Sequence, residues 1–115
     1  MLFVSTSLAA QERINVVHGD LNESSGVTRS GRSPEVFWTH NDSGGKSVLY
    51  AFDLKGKVLG TLRLTGAKNR DWEDIAIGPG PKAKQPYLYV GDIGDNGRQR
   101  ESISVFRVLE PAGLN

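Results

Sequence analysis

The chain has 115 residues and carries 14 basic and 13 acidic side chains, for a formal net charge of +1. This balance excludes a global positive field that would attract nucleic acid or an anionic membrane. The absence of cysteine excludes disulfides, zinc–thiolate sites and thiol catalysis. No apolar run approaches ~18 residues, so no membrane span is predicted.

The first eleven residues, MLFVSTSLAAQ, run from apolar to small to polar. This order resembles the end of a secretory signal with its small-residue cleavage site. It favours an exported protein, periplasmic or extracellular. The alternative interpretation of residues 1–11 is a first strand or an N-terminal arm.

Beyond this segment the sequence predicts strands and no helix. Short alternating or β-branched and aromatic runs are bounded by turn residues, and 14 glycines and 5 prolines suit many tight turns. Leu54-Lys55-Gly56-Lys57 predicts a hairpin turn. The predicted strands are 14–18, 26–29, 36–40, 47–53, 58–64, 74–77, 87–91 and 103–109.

The strand pattern recurs with a period near fifty residues. Glu23 aligns with Glu73, Trp38 with Tyr89 and Asn41 with Asp92, at offsets of 50, 51 and 51. About four short strands in each period are typical of β-propeller blades. We therefore predict an all-β propeller fragment of two antiparallel blades, 12–65 and 66–115. The alternative is a coincidental pair of meanders in a small sandwich.

The second predicted blade is incomplete, because its outer strand would begin near Glu110-Pro111, where the sequence runs out. Two blades also leave two apolar faces open, whereas repeat arrays generally need at least three units. Either three copies of the chain close a six-bladed ring, or the remaining blades belong to a longer chain.

Acids and amides fall at the ends of the predicted inner strands in both repeats, Asp71 among them. Side chains at these positions of a propeller can converge on the central channel, where a hard cation relieves their repulsion. Oxygen ligands favour calcium. The alternative is that Asx and glycine residues build β-turns. The predicted metal ligands are Glu23, Asn41, Asp42, Glu73, Asp74, Asp92, Asp95 and Asn96, of which the loop 92–97 could also wrap an ion locally.

Two further side chains are candidates for a site. His40 could act as a general base beside a metal-bound carbonyl, or could be a hydrogen-bonded packing residue. Trp72, between Asp71 and Glu73, could stack on a ligand near the channel mouth. The remaining strand aromatics are predicted to form the core, since both faces of a blade are buried between neighbours.

The phrases HNDSGG (40–45), DWEDIA (71–76) and GDIGDN (91–96) resemble the first blades of a family of bacterial exported β-propeller proteins. More distantly, an acid on an inner strand with Asn and Asp from other blades is similar to the calcium-dependent, six-bladed paraoxonase and gluconolactonase hydrolases. That resemblance implies a central calcium that polarises an ester, lactone or phosphotriester oxygen. The ligands it implies here are Glu23, Asn41, Asp42, Glu73 or Asp74, and Asp92.

These observations favour a calcium-binding propeller module of an exported protein, with hydrolase-like (ester or lactone) chemistry as one interpretation. In that case the metal would act as a Lewis acid, and an acid or His40 would handle the proton. The alternatives are a non-catalytic module that binds glycan or protein, and a fragment with no autonomous function.

Overall fold

The computed structural model describes residues 11–114, so the predicted signal segment lies outside the described residues except for Gln11. These residues form two antiparallel sheets: sheet 1, in the order β1-β2-β3-β4, and sheet 2, in the order β5-β6-β7. The predicted all-β, antiparallel class is confirmed. The strands are Ser24–Arg29 (β1), Val36–Asn41 (β2), Val48–Asp53 (β3), Val58–Arg63 (β4), Trp72–Gly78 (β5), Tyr87–Asp92 (β6) and Ser104–Leu109 (β7).

The predicted strand at 14–18 is wrong. Residues 11–18 form no strand, although Val16 and His18 are half-buried while Val17 is 84% exposed. The segment lies against sheet 1, where the His18 ring is 5.4 Å from the ring of Tyr50. Alternation of apolar and polar residues indicates that one face of an extended segment is buried. The same alternation occurs whether or not the segment pairs with a strand, so it does not by itself predict a strand.

The tight hairpin predicted at 54–57 is confirmed. Gly56 has φ +80° and donates its N–H to the carbonyl of Asp53 at 3.0 Å. The Asp53 carboxylate accepts the N–H groups of Lys55 and Lys57 at 2.9 and 3.0 Å. A positive φ favours glycine, because the other residues carry a Cβ that clashes there.

Within residues 11–114 no helix is long and apolar enough to cross a membrane.

The core lies between the two sheets. Trp38 and Leu49 of sheet 1 and Trp72, Leu88 and Val90 of sheet 2 are all fully buried. The first strands of the sheets, β1 and β5, lie side by side. At Gly26 a Cβ atom would come within 3.2 Å of Asp74 Cα and of the Ile75 nitrogen. Glycine at this position therefore allows the close approach of the two sheets.

The strand registers correct one alignment made from the sequence. β1 starts with Ser24 opposite Asn41 and is irregular between Ser24 and Gly26, and β5 starts with Trp72 opposite Asp92 and is irregular between Trp72 and Asp74. Since Asn41 and Asp92 match, Glu23 matches Asp71, two residues before Glu73. Because each first strand has a bulge at its start, the repeat period of the sequence alone does not predict which acid is equivalent to Glu23.

A buried carboxylate ties the end of sheet 2 to sheet 1. Glu110 is 2% exposed and accepts hydrogen bonds from the Ser30 hydroxyl, from the Gly31 N–H at 2.9 Å and from Trp38 Nε1 at 3.1 Å. Its own carbonyl accepts Arg32 Nε at 2.9 Å. All these donors come from sheet 1 or from the turn that follows β1. The two sheets are therefore joined by polar contacts as well as by the apolar core.

We expect Glu110→Ala to lower the free energy of unfolding by about 2–4 kcal/mol, because it leaves buried donors without an acceptor. Urea unfolding followed by tryptophan fluorescence measures this, and Glu101→Ala, at an exposed residue, is the matched control, expected to change stability by less than about 0.5 kcal/mol. A loss as small as the control's would show that the Glu110 bonds do not hold the sheets together.

Candidate metal centre

Three carboxylates from different parts of the chain meet where the two sheets join. Asp42 directly follows β2, while Asp71 and Glu73 flank Trp72 at the start of β5. Alternate side chains of an extended strand point to opposite sides, so burying Trp72 in the core directs its two neighbours away from the core. One oxygen from each of Asp42, Asp71 and Glu73 lies within 4.8 Å of the others.

Asn69 fixes the distance between the two sides of this cluster. Its amide nitrogen donates to the carbonyls of Asn41 and Asp42 at 3.2 and 2.7 Å, and its oxygen accepts the Trp72 N–H at 3.1 Å. The Asp42 N–H donates in turn to the Glu23 carbonyl at 2.8 Å. Backbone on each side of the sheet junction is therefore held by one buried amide.

The cluster concentrates negative charge in a partly dehydrated place. Burial raises the pKa of Asp71, and the adjacent Asp42 raises it further. Burial likewise raises the pKa of Glu73, with the charges of Asp42 and Asp71 adding to the effect. Among residues 11–114 the ion pairs are Lys46–Asp20 and Arg100–Asp92, so no basic side chain in this part of the chain neutralises the cluster.

One atom of the cluster has no partner. Asp71 is 8% exposed, and its Oδ1 is buried without a hydrogen-bond donor. The loop after β6 closes over it, because a Cβ atom on Gly94 would lie 2.2 Å from Asp71 Cγ. A buried carboxylate oxygen without a donor is costly. Either a proton or a cation would remove that cost.

The arrangement fits a calcium ion. Ligand oxygens lie 2.3–2.6 Å from calcium, so two ligands of one ion are at most about 5 Å apart. The three carboxylates meet this limit and supply three to six oxygens, according to whether each binds through one oxygen or two. A cavity of about 200 Å³ lies beside Asp71, on the side lined by Arg70, Asn96 and Arg100.

Of the eight predicted ligands, the structure brings Asp42 and Glu73 together and gives Asn41, Asp92 and Asp95 other partners. The Asn41 oxygen accepts the N–H groups of Asn22 and Glu23, both at 3.1 Å, and its amide nitrogen donates to the Asp20 carbonyl at 2.6 Å. These three bonds fix the bend of the chain that enters β1.

Asp92 and Asp95 both organise the loop after β6. Asp92 is buried, pairs with Arg100 Nη1 at 2.6 Å and accepts the Asp71 N–H at 2.9 Å. Asp95 accepts the N–H groups of Gln99 and Arg100 at 2.8 and 3.1 Å, and the Gln99 bond is the main reason that the pKa of Asp95 is lowered. Asp92 thus supports the cluster indirectly, through the backbone of Asp71.

The other predicted ligands lie at the surface. Glu23 and Asn96 are exposed, as is Asp74, whose carboxylate accepts the N–H of Ile75 at 2.8 Å.

His40, the candidate general base, is fully buried. Its Nδ1 lies 2.8 Å from the Asn41 carbonyl, and its Nε2 has no partner.

Trp72 is part of the core. Its side chain is 0% exposed and its Nε1 donates to the Lys68 carbonyl at 3.1 Å. The face of its ring is not open to a ligand within this chain.

Two residues that the structure brings to the site are absent from the predicted ligands. Asp71 belongs to the carboxylate cluster, and Asn69 holds the backbone on both sides of it. The Asp-Trp-Glu pattern of 71–73 contained the signal for Asp71, since a buried tryptophan on a strand sends both neighbours to one side. Asn69 gave no such signal, because its bonds depend on how the sheets dock.

Comparisons of the chain with family models, with curated proteins and with solved structures each find no match. The case for the site therefore rests on its geometry.

We expect Gly94→Ala to displace the Asp71 carboxylate and to weaken cation binding by tenfold or more, because the added methyl group overlaps that carboxylate. Gly97→Ala is the matched control in the same loop, where the nearest atom to the new Cβ would be 3.8 Å away. Isothermal titration with calcium measures both variants. Equal affinities would show that Asp71 does not bind the ion.

The cluster also predicts a pH dependence of stability. Asp71 and Glu73 have pKa values above their usual 3.8 and 4.5 in the folded chain, so the folded state holds more protons than the unfolded state above pH 4. Their contribution to stability is therefore largest below the unfolded pKa values and is lost as pH rises through the folded ones. Urea midpoints measured from pH 4 to pH 7 test this. In Asp71→Asn the fall should be smaller, and an unchanged profile would contradict the assignment.

Proposed function

We propose that this chain is a calcium-binding module of the β-propeller type. The observation that carries the proposal is the cluster of Asp42, Asp71 and Glu73, which contains a buried oxygen without a donor and which no basic side chain of residues 11–114 neutralises. An exported location, favoured by residues 1–11, would expose such a site to calcium outside the cytosol.

The chemistry of the donors favours calcium over a transition metal. All three side chains offer carboxylate oxygens, without imidazole or thiolate, and hard cations prefer such a set. Calcium accepts six to eight oxygens in flexible geometry, whereas magnesium demands a near-octahedral site. Carboxylates drawn from a loop and from a bulged strand suit the less demanding ion.

The registers of the two sheets support the propeller interpretation. Each first strand carries a bulge at its start, opposite Asn41 in sheet 1 and opposite Asp92 in sheet 2. The second strands then match at an offset of 51, and the third strands at 56, since Leu49 pairs with His40 as Val105 pairs with Gly91. Adjacent first strands, as in β1 and β5, are the arrangement of neighbouring blades around a channel.

The proposal is for binding and does not extend to hydrolysis. Ester or lactone hydrolysis would need a proton-transfer group beside the ion. The candidate for that role, His40, is fully enclosed, and a Cβ on Gly26 would lie 2.8 Å from its Nε2. His40 Nδ1 lies against the Asn41 carbonyl and its Nε2 has no partner, so it makes no hydrogen bond to Asp42, Asp71 or Glu73 that would support a catalytic role.

Calcium titration of the whole chain tests the proposal. We expect one site, with an affinity in the range of extracellular calcium modules, roughly 10⁻⁴–10⁻³ M or tighter, and weaker binding of magnesium. Asp71→Asn and Glu73→Gln each remove a charged ligand at nearly constant shape and should weaken binding by tenfold or more. In the absence of calcium both variants should unfold at a higher temperature, because they relieve the repulsion.

Asp20→Asn is the matched control, since this carboxylate is exposed and pairs only loosely with Lys46 at 3.7 Å. It should bind calcium like the unmodified chain. No heat of binding and no shift of the melting temperature at about 10 mM calcium would overturn the proposal, because that concentration is well above the expected dissociation constant.

A further inference from the structure

Each sheet has one face against the other sheet and a second face that points away from it. The sheet 2 outer face is the set of side chains that shares the registers of Tyr89 and Gly91, namely Asp74, Ala76, Tyr89, Gly91, Val105 and Arg107. The sheet 1 outer face shares the registers of Phe37 and Thr39 and consists of Val27, Arg29, Phe37, Thr39, Tyr50, Phe52, Val58 and Thr61. Two of these residues, Thr39 and Tyr50, are each only 3% exposed within the chain. Val27 is 59% exposed and Val105 is 60% exposed.

The sheet 2 outer face matches a face that is buried inside this chain. At the offsets of 51 and 56, Tyr89 and Gly91 match Trp38 and His40, and Val105 matches Leu49. Those three residues of sheet 1 are fully buried beneath sheet 2. The sheet 2 outer face is therefore equivalent to the face of sheet 1 that packs against a neighbouring sheet.

The sheet 1 outer face matches the other half of the same interface. Phe37 and Thr39 match Leu88 and Val90, which are fully buried against sheet 1. Tyr50 and Phe52 match Phe106 and Val108 at the offset of 56, and both of these pack on the core. One chain thus presents both halves of a contact that it already makes internally.

The chemistry of the two faces agrees with docking. On the sheet 2 outer face, Tyr89, Gly91, Ile93 and Val105 line a largely apolar cavity of about 170 Å³. Its charged residues, Asp74 and Arg107, lie on the edge strands β5 and β7. An apolar centre with a charged rim is typical of protein interfaces. On the sheet 1 outer face, the rings of Phe37 and Phe52 stack 5.8 Å apart.

We infer that a second copy of this chain docks on the sheet 2 outer face through its sheet 1 outer face. The contact has the same pairing of faces as the internal packing of sheet 1 on sheet 2, and this inference rests on the repeat interpretation in the proposed function. It differs at Tyr50, which is 3% exposed and lies against the His18 ring of its own chain, so the segment around His18 forms part of the docking surface. The two surfaces differ, so the association is head-to-tail and ends only when a ring closes. Propellers typically have about four to eight sheets, so a closed ring of this chain contains two to four copies.

Light scattering of the full chain tests the inference. We expect one closed species with two to four times the mass of the 12.5 kDa chain. Val105→Asp and Val27→Asp should each reduce it to a monomer, because each buries an unpaired charge in one half of the contact. Leu54→Asp, at the exposed hairpin turn away from both faces, is the matched control and should leave the mass unchanged.

Mixing the two variants separates head-to-tail docking from other kinds of association. Val105→Asp keeps an intact sheet 1 outer face, and Val27→Asp keeps an intact sheet 2 outer face. An equimolar mixture should therefore form one good contact and give a dimer that cannot grow. A monomeric unmodified chain at every concentration, a mass that neither variant changes, or a mixture that stays monomeric would overturn the inference.

Two measurements keep a negative result interpretable. Circular dichroism and the melting temperature show whether each variant folds, and Val105→Thr with Val27→Thr supplies milder variants that preserve the β-branched shape. Calcium titration of monomeric Val105→Asp then tests the metal centre separately. If the variant binds calcium while the unmodified chain stays monomeric, the docking alone is rejected. If the unmodified chain assembles and the variant binds no calcium, the metal centre alone is rejected.

Discussion

The close approach of β1 to β5 is the contact on which the core and the metal centre both depend. It occurs at Gly26, where the backbone of β5 leaves too little room for a side chain. On one side of this line Trp38 and Trp72 are buried together with Leu49 and Leu88. Beyond its end, Asp42 of one sheet meets Asp71 and Glu73 of the other. Neither sheet alone would contain the core or the carboxylate cluster.

The favourable energy of that contact offsets the repulsion in the cluster. Burial of several large apolar side chains contributes about 1.5–3 kcal/mol for each, which opposes the cost of burying the carboxylate cluster. The chain can therefore hold three carboxylates together without a basic partner. This differs from Asp92, whose charge is balanced by Arg100 at 2.6 Å. Asp71 and Asp92 are neighbours, since the Asp71 N–H donates to Asp92, yet only Asp92 has a basic partner.

The fold class and most strands could be predicted from the sequence, because alternation and turn residues act locally. The hairpin at Gly56 is such a case, since the turn is fixed by the residues inside it. The offset between Glu23 and Asp71 could not be predicted, because a bulge at the strand start changes the count without changing the composition. The strand expected at 14–18 failed for a related reason, as pairing requires a free edge that the local sequence does not reveal.

The candidate site was predictable in kind and only partly in membership. The sequence points to oxygen-bearing residues at strand ends, and the carboxylate cluster contains two of them, Asp42 and Glu73. Asn41, Asp92 and Asp95 have the same chemistry but are used to fix the backbone, through bonds that depend on the fold. Asparagine and aspartate at strand ends serve both purposes, so composition cannot separate a ligand from a turn-forming residue. Only the partners of each oxygen do so.

Within residues 11–114 the carboxylate cluster occurs at one sheet junction and has no counterpart at the equivalent positions of the other repeat. By strand register, the residue of sheet 2 equivalent to Asp42 is Ile93. By hydrogen bonding it is Gly94. The Gly94 N–H donates to the Asp71 carbonyl, and the Asp42 N–H donates to the carbonyl of Glu23, the residue equivalent to Asp71. Neither Ile93 nor Gly94 carries a carboxylate. On the other side of the junction, Glu73 has Ser25 as its counterpart at the offset of 48. The outer face of sheet 2 thus presents the apolar Ile93 where the internal junction presents an acid. A further sheet docked there would meet an apolar surface, so the carboxylate cluster is specific to the junction between sheets 1 and 2.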